Sequence, residues 1–203
     1  MKITNNYQLL NEKILNHYIS SGKDIILISI GGLSCSGKST LSKNINDYFS
    51  VKNILCRTIH LDNWIIDLDK RTEFGTVRER FDYNGIVDQV TKYIQGQKIV
   101  TFSYNSQLRK KTKKKYVVEP IRKGIILVEG VICLDIPKLR NLSDLLVFIR
   151  TSEYERFKRF IEFNRYVKKI NLERCKELYE QRQKDELPFI NSTEIYSDII
   201  YEN

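Results

Sequence analysis

The sequence predicts an α/β fold in which a mainly parallel β-sheet is covered by helices on both faces. Short apolar runs alternate along the chain with longer segments of helical periodicity, and this alternation is typical of βαβ units. The run at residues 25–30 is apolar at nearly every position, as expected for a strand that is buried on both faces. The 203 residues contain no internal repeat and no Pro-, Gly- or Ser-rich linker, so one domain over residues 1–203 is predicted.

The predicted elements follow in chain order. An amphipathic helix is predicted over residues 5–20, because apolar side chains recur there at near-helical spacing. The other predicted strands of the sheet are at residues 54–60, 125–129 and 145–149, and the other predicted helices are at residues 38–49, 85–95, 153–166 and 172–184. Because parallel sheets bind ligands outside the carboxyl ends of their strands, we expect functional residues where these strands end.

Residues 98–118 interrupt this alternation. The stretches 99–104 and 116–118 have the composition of strands and flank a basic segment, which predicts a β-hairpin outside the main sheet. The basic run Arg109-Lys-Lys-Thr-Lys-Lys-Lys115 carries six positive charges in seven residues and lies at the expected tip. A solvated loop is the first interpretation of this run; attraction of a phosphorylated substrate or of a triphosphate, and contact with RNA or DNA, are the alternatives.

Composition limits the class of protein. Hydrophobic residues are 41% and charged residues 29% of the sequence, which is ordinary for a globular protein in water. The apolar runs are far shorter than the roughly twenty residues of a membrane span, and the polar, Asn-rich start does not look like a secretory signal. We therefore expect a cytoplasmic protein with no membrane partner.

Charge and cysteine content add two further limits. The four cysteines have no metal-binding spacing and the two histidines are too few to complete a zinc site with them, so reduced cysteines are expected. The formal net charge of +9 favours acidic partners, and these include both nucleic acid and phosphorylated small molecules.

A phosphate-binding motif provides the most specific signal in the sequence. Residues 32–39 read Gly-Leu-Ser-Cys-Ser-Gly-Lys-Ser, which fits the P-loop pattern G-x-x-x-x-G-K-[ST] between a predicted buried strand and a predicted helix. The main-chain N–H groups of such a loop bind phosphate together with the helix N-terminus, while Lys38 reaches the terminal phosphates and Ser39 can bind Mg²⁺. The predicted nucleotide-binding residues of the loop are Gly32, Leu33, Ser34, Cys35, Ser36, Gly37, Lys38, Ser39 and Thr40.

The P-loop by itself is compatible with several classes of nucleotide-binding protein. A GTPase is not favoured, because no Asn-Lys-x-Asp motif follows a later strand, and a motor ATPase is not favoured, because no second domain is predicted. A kinase therefore remains the first hypothesis, with ATP and Mg²⁺ as cofactors. A nucleotide-dependent module that binds nucleic acid through the basic run is the alternative of a different class.

Two carboxylates stand at the ends of predicted strands. Asp62 can accept a proton from an attacking hydroxyl, although an Asp that caps the next helix is the other interpretation. Glu129 ends an apolar strand before Gly130, a Walker-B-like arrangement that can hold Mg²⁺, and a solvated acid at a strand end is its alternative.

The segment at residues 153–169 is rich in arginine and lysine. Cations near the transferring phosphoryl group lower the barrier, because negative charge spreads over its oxygens, and a mobile lid would also exclude water. We predict that Arg159 acts in catalysis, that Arg156 contacts the nucleotide and that Arg165 contacts the acceptor. Interleaved acidic residues support a surface helix with internal ion pairs as the alternative.

Taken in order, these motifs resemble the uridine kinase and phosphoribulokinase family of P-loop kinases. The resemblance spans about residues 25–201 and is closest at residues 31–39. It is further carried by His60-Leu-Asp62-Asn-Trp64 after the second strand of the sheet, Phe81-Asp82 before a helix, Val128-Glu-Gly130, and Thr151 to Arg159. The resemblance implies a three-layer P-loop NTPase fold with a lid, Asp62 as the base for a ribose 5′-hydroxyl, and Phe81, Asp82 and Trp64 on the acceptor.

The acceptor half of the resemblance is looser. Uridine kinases contact the pyrimidine with a Tyr and a His of the hairpin, and the alignment puts Phe102 and Gln107 there, with Tyr104 at a neighbouring aromatic position. Phe102 cannot donate the hydrogen bond that a Tyr would. Uridine or cytidine is the first predicted acceptor, and another nucleoside, a pantothenate-like compound or a sugar phosphate are the alternatives. A homo-oligomer is compatible with the resemblance, because family members often form oligomers.

Overall fold

The computed structural model describes residues 2–72 and 75–203. The strands are β1 (Lys2–Thr4), β2 (Ile25–Gly32), β3 (Cys56–His60), β4 (Ile99–Asn105), β5 (Lys110–Val118), β6 (Gly124–Glu129), β7 (Leu145–Arg150) and β8 (Ile199–Glu202). The helices are α1 (Tyr7–Ser21), α2 (Lys38–Val51), α3 (Tyr83–Ile94), α4 (Pro137–Leu142), α5 (Glu153–Glu162) and α6 (Leu172–Asn191). Single 3-10 turns lie at Leu61–Trp64, Leu68–Lys70, Arg78–Arg80 and Ser192–Tyr196, and a π-helical turn lies at Phe163–Val167.

The predicted α/β fold is confirmed. Six strands form one sheet in the order β1-β8-β7-β2-β6-β3, and each neighbouring pair is parallel. The other two strands, β4 and β5, form a separate antiparallel hairpin. None of the helices within the described residues is both long and apolar enough to cross a membrane.

Alternating side chains of β2 explain why both faces of the sheet are covered. Ile26, Ile28 and Ile30 are completely buried in a cluster with apolar residues of α1 and α2. Leu27 points to the other face and belongs to a second cluster with residues of α3, α4 and α6. Since a buried aliphatic side chain contributes about 1.5–3 kcal/mol, the apolar run of β2 stabilises both layers at once.

The hairpin packs beside the end of β3 through specific hydrogen bonds. The Tyr116 hydroxyl donates to the Thr58 carbonyl and accepts from the His60 amide, both at 3.1 Å. Asn63 accepts from the Tyr104 amide at 3.0 Å and donates to the His60 carbonyl at 3.2 Å. These contacts fix β4 and β5 against the strand that leads to Asp62.

The sequence analysis placed the basic run at the tip of the hairpin, and the structure corrects this prediction. The turn comprises residues 106–109, so only Arg109 is at the tip, in a left-handed conformation with φ 53°. Residues 110–115 belong to β5, and Lys110, Lys111 and Lys115 pair with residues of β4. The lysines therefore line a strand, because strand pairing continues closer to the turn than the apolar pattern indicates.

Two further differences concern the C-terminal part of the chain. The predicted helix at 172–184 extends to Asn191 and contains Pro188, because buried residues beyond 184 such as Ile190 keep this end packed on the sheet. The strands β1 and β8, which the sequence analysis missed, add one edge of the sheet.

Candidate functional site

The candidate site lies along the edge of the sheet where the strands end. The P-loop follows β2, Asp62 follows β3, and Glu129 is the last residue of β6. Because β2, β6 and β3 are parallel neighbours, their carboxyl ends meet at this edge, where such sheets bind ligands. The topology therefore brings together three predicted elements that lie up to 97 residues apart in the chain.

The backbone of the P-loop has three residues with positive φ. Gly32, Cys35 and Gly37 have φ values of 141°, 62° and 96°. A Cβ atom on Gly32 would lie 2.8 Å from the Ile149 carbonyl oxygen, so only glycine fits there without displacing β7. Cys35 has a side chain in the left-handed region, an arrangement that typically costs about 1–3 kcal/mol and is frequent at functional sites.

Two residues that are distant in sequence hold the P-loop in place by hydrogen bonds. The Ser36 carbonyl accepts hydrogen bonds from the Thr151 hydroxyl at 2.9 Å and from the Asn203 side-chain amide at 2.7 Å. Ser36 itself is completely buried. These contacts hold one side of the loop against the ends of β7 and β8.

Lys38 is turned back onto the loop. Its ammonium group donates to the carbonyls of Gly32 at 3.0 Å and Leu33 at 2.8 Å, and the residue is only 8% exposed. The ammonium therefore already lies inside the loop and can exchange these carbonyls for phosphate oxygens. Thr40 is exposed in the first turn of α2.

Glu129 connects the loop to β3. Its Oε1 atom accepts from the Ser39 hydroxyl at 2.9 Å and lies 2.6 Å from His60 Nδ1. Burial acts to raise the pKa of Glu129, but the hydrogen bond from His60 and the charge of Lys38 outweigh it and hold the pKa below its ordinary value. The same hydrogen bond raises the pKa of His60 against the opposing effect of burial. Glu129 is thus an ionised carboxylate beside the hydroxyl predicted to bind metal.

Asp62 lies in the 3-10 turn Leu61–Trp64, directly after β3. Its side chain is reached by solvent, although protein atoms surround it closely enough to raise its pKa. Burial is the main cause of the raised pKa and the charge of Glu129 adds to it, while Lys38 acts in the opposite direction. A carboxylate in this environment is a stronger base than an ordinary Asp.

The three predicted arginines have different positions. Arg159 Nη1 lies 3.5 Å from the Cys35 carbonyl oxygen, so this guanidinium reaches the P-loop. Arg156 is buried on α5 and donates to Gln183 Oε1 at 2.7 Å, which directs it toward α6. Arg165 is on the exposed π-helical turn, with its guanidinium 5.8 Å from the centre of the Tyr166 ring.

Two aromatic residues predicted to contact the acceptor are largely buried. Trp64 is 3% exposed and packs edge-on against Tyr116 at 6.3 Å. Phe81 is 8% exposed and belongs to the same apolar cluster. Asp82 caps α3 by accepting from the Gly85 amide at 2.9 Å, and it lines a cleft of about 500 Å³ with Phe81 and Lys111.

Of the hairpin residues predicted for base recognition, Phe102 and Gln107 are exposed and Tyr104 is half-buried. Phe102 is 47% exposed on β4, next to a register shift between Phe102 and Tyr104. The Tyr104 hydroxyl accepts from Arg71 Nη2 at 2.7 Å. Gln107 is in the turn, where its main-chain N–H donates to Asn105 Oδ1 at 2.9 Å.

Sequence reasoning missed the charged residues that α6 brings to the site. Glu186 is 5% exposed and binds Ser34 of the P-loop. Arg182 packs over the Phe160 ring at 5.3 Å, and its charge acts on Asp62 and Cys35. No motif marks these residues, and Glu186 lies beyond the end of the predicted helix.

Comparison with known proteins agrees with the family resemblance that the sequence motifs indicated. The family model for the "Phosphoribulokinase / Uridine kinase family" matches residues 27–203. A uridine kinase of Halalkalibacterium halodurans is 27% identical over 184 residues, which cover 88% of this chain and 86% of that protein.

Solved structures show the same fold at lower identity. A possible uridine kinase from Bacillus stearothermophilus has a TM-score of 0.66 at 20% identity and covers 96% of both chains. A phosphoribulokinase from Rhodobacter spheroides has a TM-score of 0.66 at 13% identity and covers 88% of this chain and 70% of its own. The chain thus belongs to the phosphoribulokinase and uridine kinase family of P-loop kinases.

Proposed function

We propose that this family member transfers the γ-phosphate of ATP or GTP to a hydroxyl group of a small molecule, with the 5′-hydroxyl of uridine, cytidine or a related nucleoside as the first acceptor. The observation that carries the proposal is the meeting of the P-loop, Asp62 and Glu129 at one edge of the sheet. Binding of nucleotide alone would not require a solvent-accessible carboxylate opposite the loop.

In the proposed mechanism the P-loop binds the phosphate groups and Asp62 takes the proton of the acceptor. The loop amides and Lys38 bind the polyphosphate and stabilise charge on the transferring group. Asp62 accepts the proton of the attacking hydroxyl, and its raised pKa suits that role. Arg159, which already reaches the Cys35 carbonyl, supplies a further positive charge beside the loop.

The residues present also fit a magnesium ion. Ser39 and Glu129 offer two hard oxygen ligands that already touch each other, and Mg²⁺ is usually held by one or two protein oxygens together with substrate phosphates. Within residues 2–72 and 75–203, no group of three or more His, Cys, Asp or Glu side chains forms a separate metal cage. A bound Mg²⁺ would neutralise charge on the phosphate oxygens.

The choice of a nucleoside rests on the curated relatives and on the predicted ribose contacts. The sequence relative reported above and several others are uridine kinases. Asp82 and Phe81 line a cleft of about 500 Å³, within the usual range for small-molecule sites. The exposed Phe102 and Gln107 provide no Tyr or His for a pyrimidine, so another base is compatible with the site.

A specific observation favours a second candidate, an acceptor that carries a phosphate or carboxylate group. A group of cationic side chains lies close enough together for their charges to act on one another, namely Arg71, Arg80, Arg109, Lys168 and Arg182. Burial is the main cause that lowers the pKa of Lys168 to about 8, and the charges of Arg182 and Arg109 contribute to the same shift. Such mutual repulsion is relieved when an anion binds.

The test is the release of ADP and GDP with a panel of acceptors. Purified protein is incubated with Mg²⁺ and either triphosphate, in the presence of nucleosides or of hydroxylated phosphates and carboxylates. We expect one class of acceptor to stimulate release and to appear as a phosphorylated product by mass spectrometry. Stimulation by RNA with no stimulation by any small acceptor would exclude the kinase and favour the nucleic-acid-binding module.

A further inference from the structure

Glu186 places a carboxylate in the P-loop. Its Oε1 atom accepts from the Ser34 amide at 2.5 Å and its Oε2 atom accepts from the Ser34 hydroxyl at 2.9 Å. The residue is 5% exposed although it is charged, and buried carboxylates are rare unless they are paired. The partner here is a loop whose donors are suited to phosphate.

The chemistry of this contact resembles that of a bound phosphate. Main-chain N–H groups of a P-loop bind negatively charged oxygens, and a carboxylate provides two such oxygens with hydrogen bonds of the charge-assisted kind. In the same state Lys38 donates to the loop carbonyls of Gly32 and Leu33. Donors that would bind a triphosphate therefore have partners within the protein.

We propose that Glu186 occupies part of the phosphate site in the nucleotide-free protein, and that a nucleoside triphosphate or diphosphate must displace it to bind. This inference rests on one part of the proposed function, namely that the P-loop binds nucleotide. It does not depend on the identity of the acceptor. Nucleotide binding then competes with the contact between the P-loop and α6, and Glu186 lowers the apparent affinity for nucleotide.

The displaced carboxylate has cationic partners nearby. Arg182 precedes Glu186 by one helical turn on α6, and side chains four residues apart on a helix can pair. Arg80 already pairs with the adjacent Asp185. Burial lowers the pKa of Arg80, and the charge of Glu186 partly opposes this effect. Release from the loop thus does not leave Glu186 without a counter-charge.

The end of α6 is also suited to a local change. Pro188 lies inside the helix two residues after Glu186, and proline lacks the N–H group that would bond to the residue four positions earlier. One hydrogen bond of the helix is therefore already absent beside Glu186. Movement of this turn therefore breaks fewer main-chain hydrogen bonds than it would in an uninterrupted helix.

The test is the dissociation constant for ADP, measured by calorimetry without any acceptor, for the wild type, Glu186→Gln and Glu180→Gln. Glutamine keeps the size of Glu186 and removes its charge. If the carboxylate occupies the loop about nine-tenths of the time, Glu186→Gln should bind ADP about tenfold more tightly. Glu180 is an exposed acid on the same helix, so Glu180→Gln controls for the loss of one negative charge and should change affinity by less than about twofold.

Unchanged or weaker ADP binding by Glu186→Gln, with normal binding by the wild type, would overturn the inference and leave the proposed function intact. Absence of ADP binding by the wild type would instead remove the nucleotide site and the inference with it. Hydrogen exchange of the wild type provides a second measurement that needs no variant. We expect ADP to slow exchange at residues 32–39 and to accelerate it at residues 184–191, whereas slower exchange at both would contradict displacement.

Discussion

Asp62 and Glu129 are two carboxylates at the same edge of the sheet, and their surroundings shift their pKa values in opposite directions. Burial raises the pKa of Asp62. His60 and Lys38 hold the pKa of Glu129 below its ordinary value in spite of burial. Neighbouring carboxylates whose pKa values are shifted apart in this way commonly take different chemical roles. We therefore propose proton transfer by Asp62 and cation binding by Glu129.

The role of Asp62 predicts a specific kinetic effect. Asp62→Asn keeps the shape of the side chain but removes the base, so turnover should fall by roughly 10²-fold or more. Nucleotide affinity should stay within about threefold, because the loss is confined to the transition state. Steady-state kinetics and ADP binding measure the two quantities. The exposed Asp69 provides the control Asp69→Asn. Normal turnover of Asp62→Asn would exclude Asp62 as the base.

Cys35 provides a second prediction at the scale of a residue. Burial raises the pKa of its thiol from the ordinary value of 9.0, against the lowering effect of Arg182 and Lys38. Because the thiolate is the reactive form, alkylation by iodoacetamide should be slow at neutral pH and should still accelerate as the pH passes 9.0. Peptide mass spectrometry over a pH series measures the rate.

Nucleotide should protect Cys35, since the residue is part of the P-loop. The other three cysteines are buried and should react only after unfolding, so they serve as internal controls. A rate that reaches its plateau below pH 9 would contradict the raised pKa of Cys35.

At the scale of an element, the hairpin is positioned by side chains rather than by the main sheet. Asn63 and Tyr116 make the hydrogen bonds that join β4 and β5 to the end of β3. Because β4 carries the residues predicted to contact the acceptor, these bonds also hold those residues beside the strand that leads to Asp62.

Removal of the Asn63 side chain tests this attachment. Asn63→Ala leaves the part-buried Tyr104 amide without its acceptor, so the free energy of unfolding should fall by about 1–3 kcal/mol. Urea unfolding monitored by circular dichroism measures the change. Asn141 is an exposed residue of α4, and Asn141→Ala should change stability by less than about 0.5 kcal/mol. Equal effects of the two substitutions would show that Asn63 does not anchor the hairpin.

Elements with a strong local pattern were predictable, and those that depend on distant partners were not. The run at 25–30 is apolar on both faces, so β2 could be assigned from its own residues. The short strands β1 and β8 have little periodicity and exist because they pair with each other and with β7. Proline near the end of α6 normally indicates a helix end, but tertiary packing of Ile190 outweighs that local signal.

At the scale of the whole molecule, β8 completes the sheet between β7 and β1. Ile200 of β8 is completely buried, whereas the nearby Ile195 is 77% exposed. Ile200→Ala should therefore lower the free energy of unfolding by about 2–5 kcal/mol, and Ile195→Ala should lower it by less than about 0.5 kcal/mol. Thermal and urea unfolding would measure both. A small effect at Ile200 would mean that β8 contributes little to the core.

The candidate site was predictable where its residues are contiguous or end a strand. The P-loop occupies eight consecutive residues, and Asp62 and Glu129 follow apolar runs. By contrast, Glu186 contacts Ser34 across 152 residues, and no local pattern relates the two. Such contacts depend on how α6 crosses the sheet edge, which a single sequence without its fold does not reveal.

The attachment of the Ser36 carbonyl to Thr151 and Asn203 has a consequence for synthesis of the protein. A nascent chain that has reached residue 150 contains the whole P-loop together with Asp62 and Glu129, yet it lacks both fasteners of the loop and the strand β8. Contacts of such long sequence separation form late and slowly. We therefore expect nucleotide to bind only after the sheet is complete, and not to guide the early stages of folding.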